Sequence, residues 1–259
     1  GVFYIDALTY QPMCGAGTLS VAKALVETGM VKRVEPETKI VLETPTGLVT
    51  VYVKWENHMV ASINLENVPA FLYHKELHID LAGYGDVSVD IGYGGNFFVL
   101  ADVHSLGLTI TKDTVNLLRS LSKDILAAAN KVIKVAHPTN PAINYLDQVL
   151  FCQNVPEEDG GYLAQCIFGD AQADISPCGT GTSTRLAQRY FRGLIGLEET
   201  FVQKSVCGGA FHAKGLRETT LGGVPAIVPY VSCSDVHITG FNHLIVEEND
   251  KLKNGFVSW

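Results

Sequence analysis

Two cysteines lie in copies of one short pattern, Met13-Cys14-Gly15-Ala16-Gly17-Thr18 and Pro177-Cys178-Gly179-Thr180-Gly181-Thr182, 164 residues apart. Each precedes Gly-x-Gly-Thr, and each copy opens a stretch that reads as helix. A thiol at a helix start lies near about half a positive charge from the aligned peptide dipoles. That setting is expected to lower its pKa below the free value of ~8.5 and supply thiolate at neutral pH. The following glycines let a ligand approach the backbone closely, and the free N–H groups of a helix start bind anions. Two such termini facing each other would clamp one carboxylate, with its α-carbon between Cys14 and Cys178. The chemistry this arrangement suits is cofactor-free inversion of a carbon acid, one thiolate removing a proton and the opposite thiol returning one.

A lone buried cysteine is usually a small core hydrophobe, and a lone Gly-x-Gly turn is weak evidence for any ligand. The duplication is what favours a shared anion site, with packing or a redox pair as the alternatives. A phosphate-binding P-loop is excluded, because neither copy carries Lys after its second glycine.

The elements that must position these cysteines follow from periodicity. Val2 to Asp6 reads as a strand, with a loop from Ala7 to Pro12. Leu19, Ala22, Leu25 and Val26 share one face of a helix from Gly15, with Gly29 as its C-cap. Segments 39–43 and 49–53 form a hairpin through Pro45-Thr46-Gly47, and strands are expected at 59–66, 86–91 and 96–103. Asp113 is expected to cap the longest helix, over 114–134. Strands follow at 143–151 and 163–168, then a helix from the second motif to near Gly193. Alternating segments at 199–206, 209–215, 226–232 and 235–240 complete the chain. The pattern is α+β, with two strand–loop–Cys–helix units that suggest two similar halves.

The 259 residues suffice for one large domain or two ordinary ones. Apolar residues make up 47% and charged residues 18%, as in an ordinary globular protein. A net charge of −8 without a Lys/Arg cluster argues against nucleic-acid binding. No apolar run approaches the ~20 residues of a membrane span, and no secretion signal is visible. The six cysteines are therefore expected as free thiols in a reducing cytoplasm. No C-x-x-C or Cys/His spacing marks a metal site, and the eight histidines are scattered. The opening at Gly1, directly into a strand-like segment, suggests a fragment or processed chain.

The chain resembles the proline racemase family. Asp174-Ile175-Ser176-Pro177-Cys178-Gly179-Thr180-Gly181-Thr182-Ser183 is similar to the family's second signature, and Met13-Cys14-Gly15 with its helix to Gly29 is similar to the first. Gly94-Gly95-Asn96-Phe97-Phe98, His137-Pro138, Glu198 to Val202, Gly240-Phe241-Asn242-His243 and Lys253-Asn254-Gly255-Phe256 also match in family order. The resemblance implies two pseudo-symmetric halves of diaminopimelate-epimerase-like fold around a cleft: residues 1–67 with 242–259, and residues 68–241. It implies no cofactor, no metal, and Cys14 and Cys178 as the acid/base pair. The N–H groups of Gly15, Ala16, Gly179 and Thr180 would hold the substrate carboxylate. Asp174 would meet its ammonium, and Phe168 would pack on a pyrrolidine ring.

The implied substrate is a small amino acid, proline or hydroxyproline. Apolar Phe168 favours proline, since an aromatic face offers a buried hydroxyl no conventional partner. The alternatives are a 4-hydroxyproline 2-epimerase and a catalytically silent carboxylate-binding homologue. A trans-3-hydroxyproline dehydratase is disfavoured, because that branch typically has Thr where Cys178 stands. Departures from the pattern are Ala16, where the family usually has His, Ile175, where it usually has Arg, and a missing N-terminal portion. A homodimer is the expected assembly.

Overall fold

Alternating side chains from Glu37 to Glu56 build the first hairpin, β3 (Glu37–Thr44) and β4 (Gly47–Glu56), with apolar residues such as Ile40, Leu42, Val49, Val51 and Val53 turned inward. The computed structural model describes residues 1–6, 10–242 and 245–254. His243 and Gly255-Phe256 of the resemblance lie outside these residues. The turn is closed by Thr44, whose hydroxyl donates to the Gly47 carbonyl at 2.7 Å.

Ahead of this hairpin lie β1 (Tyr4–Ile5), β2 (Tyr10–Gln11) and α1 (Gly15–Glu27). Residues 10–11 pair with β1 and are not loop as expected from sequence. After it come β5 (Met59–Glu66), β6 (Phe71–Leu81), β7 (Gly85–Tyr93), β8 (Phe97–Asp102) and α2 (Val115–Val132). Then follow β9 (Gln148–Cys152), β10 (Tyr162–Phe168), β11 (Gln172–Ala173) and α3 (Gly179–Phe191). Strands β12 (Phe201–Lys204), β13 (Ala210–Leu221) and β14 (Val224–Cys233) are the last regular elements among the described residues.

Strand β6 has no counterpart among the expected elements. Tyr73-His74-Lys75-Glu76 interrupts its alternation, its register shifts twice there, and Glu76 has φ +56°. Asp113 does not cap α2. Thr114 occupies the N-cap without a side-chain cap bond, because its hydroxyl instead donates to the Thr109 and Thr111 carbonyls. Residues 143–147 precede β9 as irregular chain, and 235–240 form no strand. The expected segments at 209–215 and 226–232 extend into one long hairpin turning at Gly222-Gly223.

The strands run in the order β3-β4-β5-β14-β13-β12-β10-β9-β8-β7-β6, with β11 paired to β10. Ala70 and Ile227 exchange backbone hydrogen bonds at 2.8 and 2.9 Å, joining the start of β6 to β14. The strands from β6 to β14 thereby wrap around α3, which packs against β6, β7, β8, β13 and β14. Every residue from Gly179 to Ala187 is buried. Thr182, Ser183 and Thr184 satisfy their hydroxyls on carbonyls four residues back, at 2.8 to 3.0 Å. Gly94 lets β7 reach the helix, since a Cβ there would stand 2.5 Å from the Thr180 carbonyl oxygen. Helix α1 is less enclosed and packs one face on β4 and β5. Both helices end as the sequence suggests, with Gly29 (φ +72°) and Gly193 (φ +70°) following C-caps Thr28 and Arg192. Among the described residues no helix is long and apolar enough to cross a membrane.

Candidate active site

The two Cys-Gly motifs meet at their glycines. A Cβ built on Gly15 would fall 2.7 Å from the Gly179 Cα, and one on Gly179 would fall 2.7 Å from the Gly15 Cα. Only a pair of residues without side chains permits this approach, so the sequence repeat becomes a contact between two helix N-termini.

The local bonding is duplicated as well. The Cys14 Sγ accepts from the Gly17 N–H at 3.3 Å, and the Cys178 Sγ from the Gly181 N–H at 3.3 Å. Thr18 N–H and hydroxyl both reach the Cys14 carbonyl, at 2.9 and 2.7 Å. Thr182 does the same to the Cys178 carbonyl, at 2.7 and 2.8 Å. Each helix ladder therefore begins at its threonine, leaving the amides of Gly15, Ala16, Gly179 and Thr180 ahead of it. Two positive helix ends in contact repel each other unless an anion lies between them.

A cavity of about 130 Å³ opens at this contact, and all eight expected site residues line it: Cys14, Gly15, Ala16, Phe168, Asp174, Cys178, Gly179 and Thr180. Phe168 ends β10 and packs against the cluster holding Phe98, Leu150 and Cys178. Asp174 is oriented by the Ser176 N–H, which donates to its Oδ1 at 2.8 Å. Burial raises the pKa of that carboxyl, partly offset by hydrogen bonds from Ser176 and Cys178. Ile175 is 77% exposed and does not line the cavity. The missing charge at that position stands beside the candidate site, in a neighbouring pocket that Ile175 shares with Ala16 and Asp174, whereas Ala16 also faces the cavity itself.

The expectation of a lowered thiol pKa at each helix start is not met at Cys14. Burial dominates there and pushes the thiol up to about 11, against the Gly17 N–H bond, with Cys178 and Asp174 adding to the rise. The partial charge of a helix end does not outweigh the loss of water around a sulfur set at the helix contact.

Five further residues line the cavity that were not among the expected site residues: Met13 and Asn96, which stand inside the quoted motifs, and Gln11, Gln148 and Cys166, which do not. Asn96 Nδ2 donates to the Met13 carbonyl at 2.8 Å and reaches the Thr180 Oγ1 at 3.3 Å, tying the two helix starts together. Gln148 Nε2 donates to the Gln11 Oε1 at 2.9 Å. Cys166 was within reach of sequence reasoning, since strand alternation puts it on the same face as Phe168. The two glutamines carried no such signal.

Residues 1–257 match the proline racemase family profile. The chain belongs to the proline racemase family. It is 37% identical over 257 residues to a proline racemase of Acetoanaerobium sticklandii, covering 99% of this chain and 76% of that protein. It is 36% identical to a trans-3-hydroxy-L-proline dehydratase of Azospirillum brasilense, with coverage of 99% and 76%. The crystal structure of a hydroxyproline epimerase from Agrobacterium vitis, with bound trans-4-OH-L-proline, superimposes with a TM-score of 0.89 at 30% identity. That match covers 99% of this chain and 73% of the other. Solved structures at 14 to 16% identity share the fold alone. Membership of the family places the chain among amino-acid racemases and epimerases.

Proposed function

We propose that the protein inverts the α-carbon of proline, without a cofactor, by proton transfer between Cys14 and Cys178. The observation that carries this reading is the Gly15–Gly179 contact, which brings both cysteines and four unladdered amides to one cavity. The α-proton of an amino acid is held tightly because the carbanion left behind is costly. Amides of Gly15, Ala16, Gly179 and Thr180 would stabilise the charge that develops on the carboxylate. Asp174, costly to ionise where it is buried, gains a partner in the substrate ammonium. Phe168 supplies an apolar face for the ring.

Inversion needs a base on one face and an acid on the other, because a single base tends to return the proton to the face it left. One of Cys14 and Cys178 accepts the α-proton while the other donates a proton from the opposite face. In the reverse direction the roles exchange. The free thiols suit a reducing compartment, the cytoplasm. The halves are assigned as 1–67 with 242–259, and 68–241.

One observation favours a second reading, a 4-hydroxyproline 2-epimerase. Gln11 and Gln148 line the same cavity, and their amides can take a hydroxyl that Phe168 cannot. Turnover of L-proline and of trans-4-hydroxy-L-proline, followed by polarimetry, separates the two substrates. Cys14→Ser and Cys178→Ser are each expected to lower inversion by about 10²- to 10⁴-fold. Near-full turnover in either single variant would remove the two-thiol assignment.

A further inference from the structure

A third thiol stands beside Cys178. Alternation along β10 turns Cys166 to the same face as Phe168, into the cavity that both cysteine motifs line. The Sγ atoms of Cys166 and Cys178 and a carboxylate oxygen of Asp174 lie within 4.8 Å of one another. Among the described residues this is the single trio of His, Cys, Asp or Glu side chains so gathered. The proton-transfer reading uses Cys178 and Asp174 but gives Cys166 no part.

Two sulfurs and one carboxylate oxygen are a donor set for a thiophilic ion. Magnesium and calcium take all-oxygen shells, whereas thiolates select zinc and its heavier relatives. Zinc binds thiolate sulfur at ~2.3 Å and carboxylate oxygen at ~2.1 Å, so donors on one tetrahedral ion are roughly 3.5 to 3.8 Å apart. With no pair farther apart than 4.8 Å, the trio needs to contract by about 1.3 Å at most. Two of the donors are already oriented, Asp174 by the Ser176 N–H and Cys178 by the Gly181 N–H. Binding would release both thiol protons to water. Two thiolates, a carboxylate and a divalent ion leave one net negative charge, placed where two helix N-termini meet.

We propose that Cys166, Cys178 and Asp174 form a binding site for a thiophilic divalent cation of the zinc class, whose occupancy excludes the carboxylate substrate from the shared cavity. The cation is an inhibitor on this account. That consequence, unlike the binding itself, rests on the proposed use of Cys178 and Asp174 in turnover. Cys166 is what makes the catalytic thiol vulnerable, since Cys178 and Asp174 without it offer only two donors.

The test is a titration of the reduced protein with Cd²⁺, read by thiolate-to-metal absorption in the ultraviolet and by calorimetry. One ion per chain is expected, with the absorption of two thiolates. Cys166→Val should weaken binding at least about 100-fold, and Cys207→Ser, at an exposed cysteine, should leave it unchanged. Cys166→Ala serves as a second variant, and thermal unfolding confirms that each is folded. Pyrrole-2-carboxylate, a planar carboxylate of proline's size, should compete with Cd²⁺. Undiminished Cd²⁺ binding in folded Cys166→Val or Cys166→Ala, or the absorption of a single thiolate, would overturn the proposal. The titration needs no turnover. A protein inert toward proline that still binds Cd²⁺ through Cys166 would contradict the racemase reading and leave the metal site standing.

Discussion

The helix start at Cys14 and the helix start at Cys178 share a backbone plan and differ in nearly everything around it. Both sulfurs accept an amide three residues on, both carbonyls accept a threonine hydroxyl, and both glycines abut the opposite helix. Cys14 has an extended φ of −137° and is half-buried. Cys178 is buried, with φ +64° and ψ +104°, a conformation costly for a residue with a side chain by about 1–3 kcal/mol. Thr180 and Cys166 crowd its sulfur, whereas Ala16 leaves the other side open. The duplicated part is what an α-carboxylate requires, since its two oxygens are alike. The unlike part suits the rest of an amino acid, whose amine and side chain differ. Symmetry thus lies in the backbone, and discrimination in the side chains.

The supports of the two helices differ in the same sense. Helix α3 is enclosed by strands and anchored at its end, where Arg192 donates to both oxygens of buried Asp90 at 2.7 and 2.8 Å. Gln188 and the Glu76 N–H complete that carboxylate's shell at 2.7 and 2.8 Å. Helix α1 has a lighter tie, Lys23 Nζ to the Val236 carbonyl at 2.6 Å.

The largest expected effect comes from breaking the symmetric contact itself. Gly15→Ala and Gly179→Ala each place a methyl against the opposing backbone and must push the helix starts apart. Since a misplacement of about 1 Å can lower a rate 10²-fold, either variant is expected to lose at least that much in kcat/KM. Parent-like kinetics in both would show that the contact is incidental.

A smaller effect sharpens the contrast between the anchors. Arg192→Leu leaves Asp90 buried without its charged partner and should destabilise by about 3–5 kcal/mol, whereas Lys23→Met should cost under about 1 kcal/mol. Burial opposes the ionised form of Asp90, but its hydrogen bonds outweigh this and hold its carboxyl below the usual range. A depressed carboxylate contributes stability that is present above its unfolded pKa and is lost as pH falls through the folded one. The gap between parent and Arg192→Leu in chemical denaturation should therefore narrow toward acid. A gap that widens in acid would contradict the anchoring role.

The mildest probe concerns the thiols. With the Cys14 thiol pushed up to about 11 by burial, its alkylation by iodoacetamide should rise about tenfold per pH unit between pH 8 and 10. Mass spectrometry resolves its rate from that of exposed Cys207. A Cys14 rate already level at pH 8 would mean that the helix end outweighs burial after all.

Much of the candidate site was legible because its parts are local. Cys-Gly at a helix start, Phe168 on a strand and Asp174 ahead of the second motif are recognisable within a few residues of sequence, and all line one cavity. Gln11 and Gln148 were not legible, because each owes its place to strands that meet only in three dimensions, whereas Asn96 stands in a recognisable motif whose role shows only where the turn between β7 and β8 reaches Met13. The fold shows the same division. Helices α1 and α3 begin at their cysteines and close at glycines, a pattern written locally. Strand β6 was lost because Tyr73 to Glu76 break the alternation at a kink. The cap of α2 went to Thr114 and not Asp113, a choice made by the preceding turn around Thr111.

The claim on which everything else rests is that the two thiols share one ligand. Pyrrole-2-carboxylate has a planar α-carbon like that of the carbanion intermediate, and a site fitted to the transition state binds such a mimic more tightly than substrate. Alkylation of each cysteine should be mapped by mass spectrometry over a range of mimic concentrations. The account predicts that Cys14 and Cys178 become protected together, at the same concentration, while exposed Cys207 reacts unchanged. Protection of one thiol without the other would contradict it.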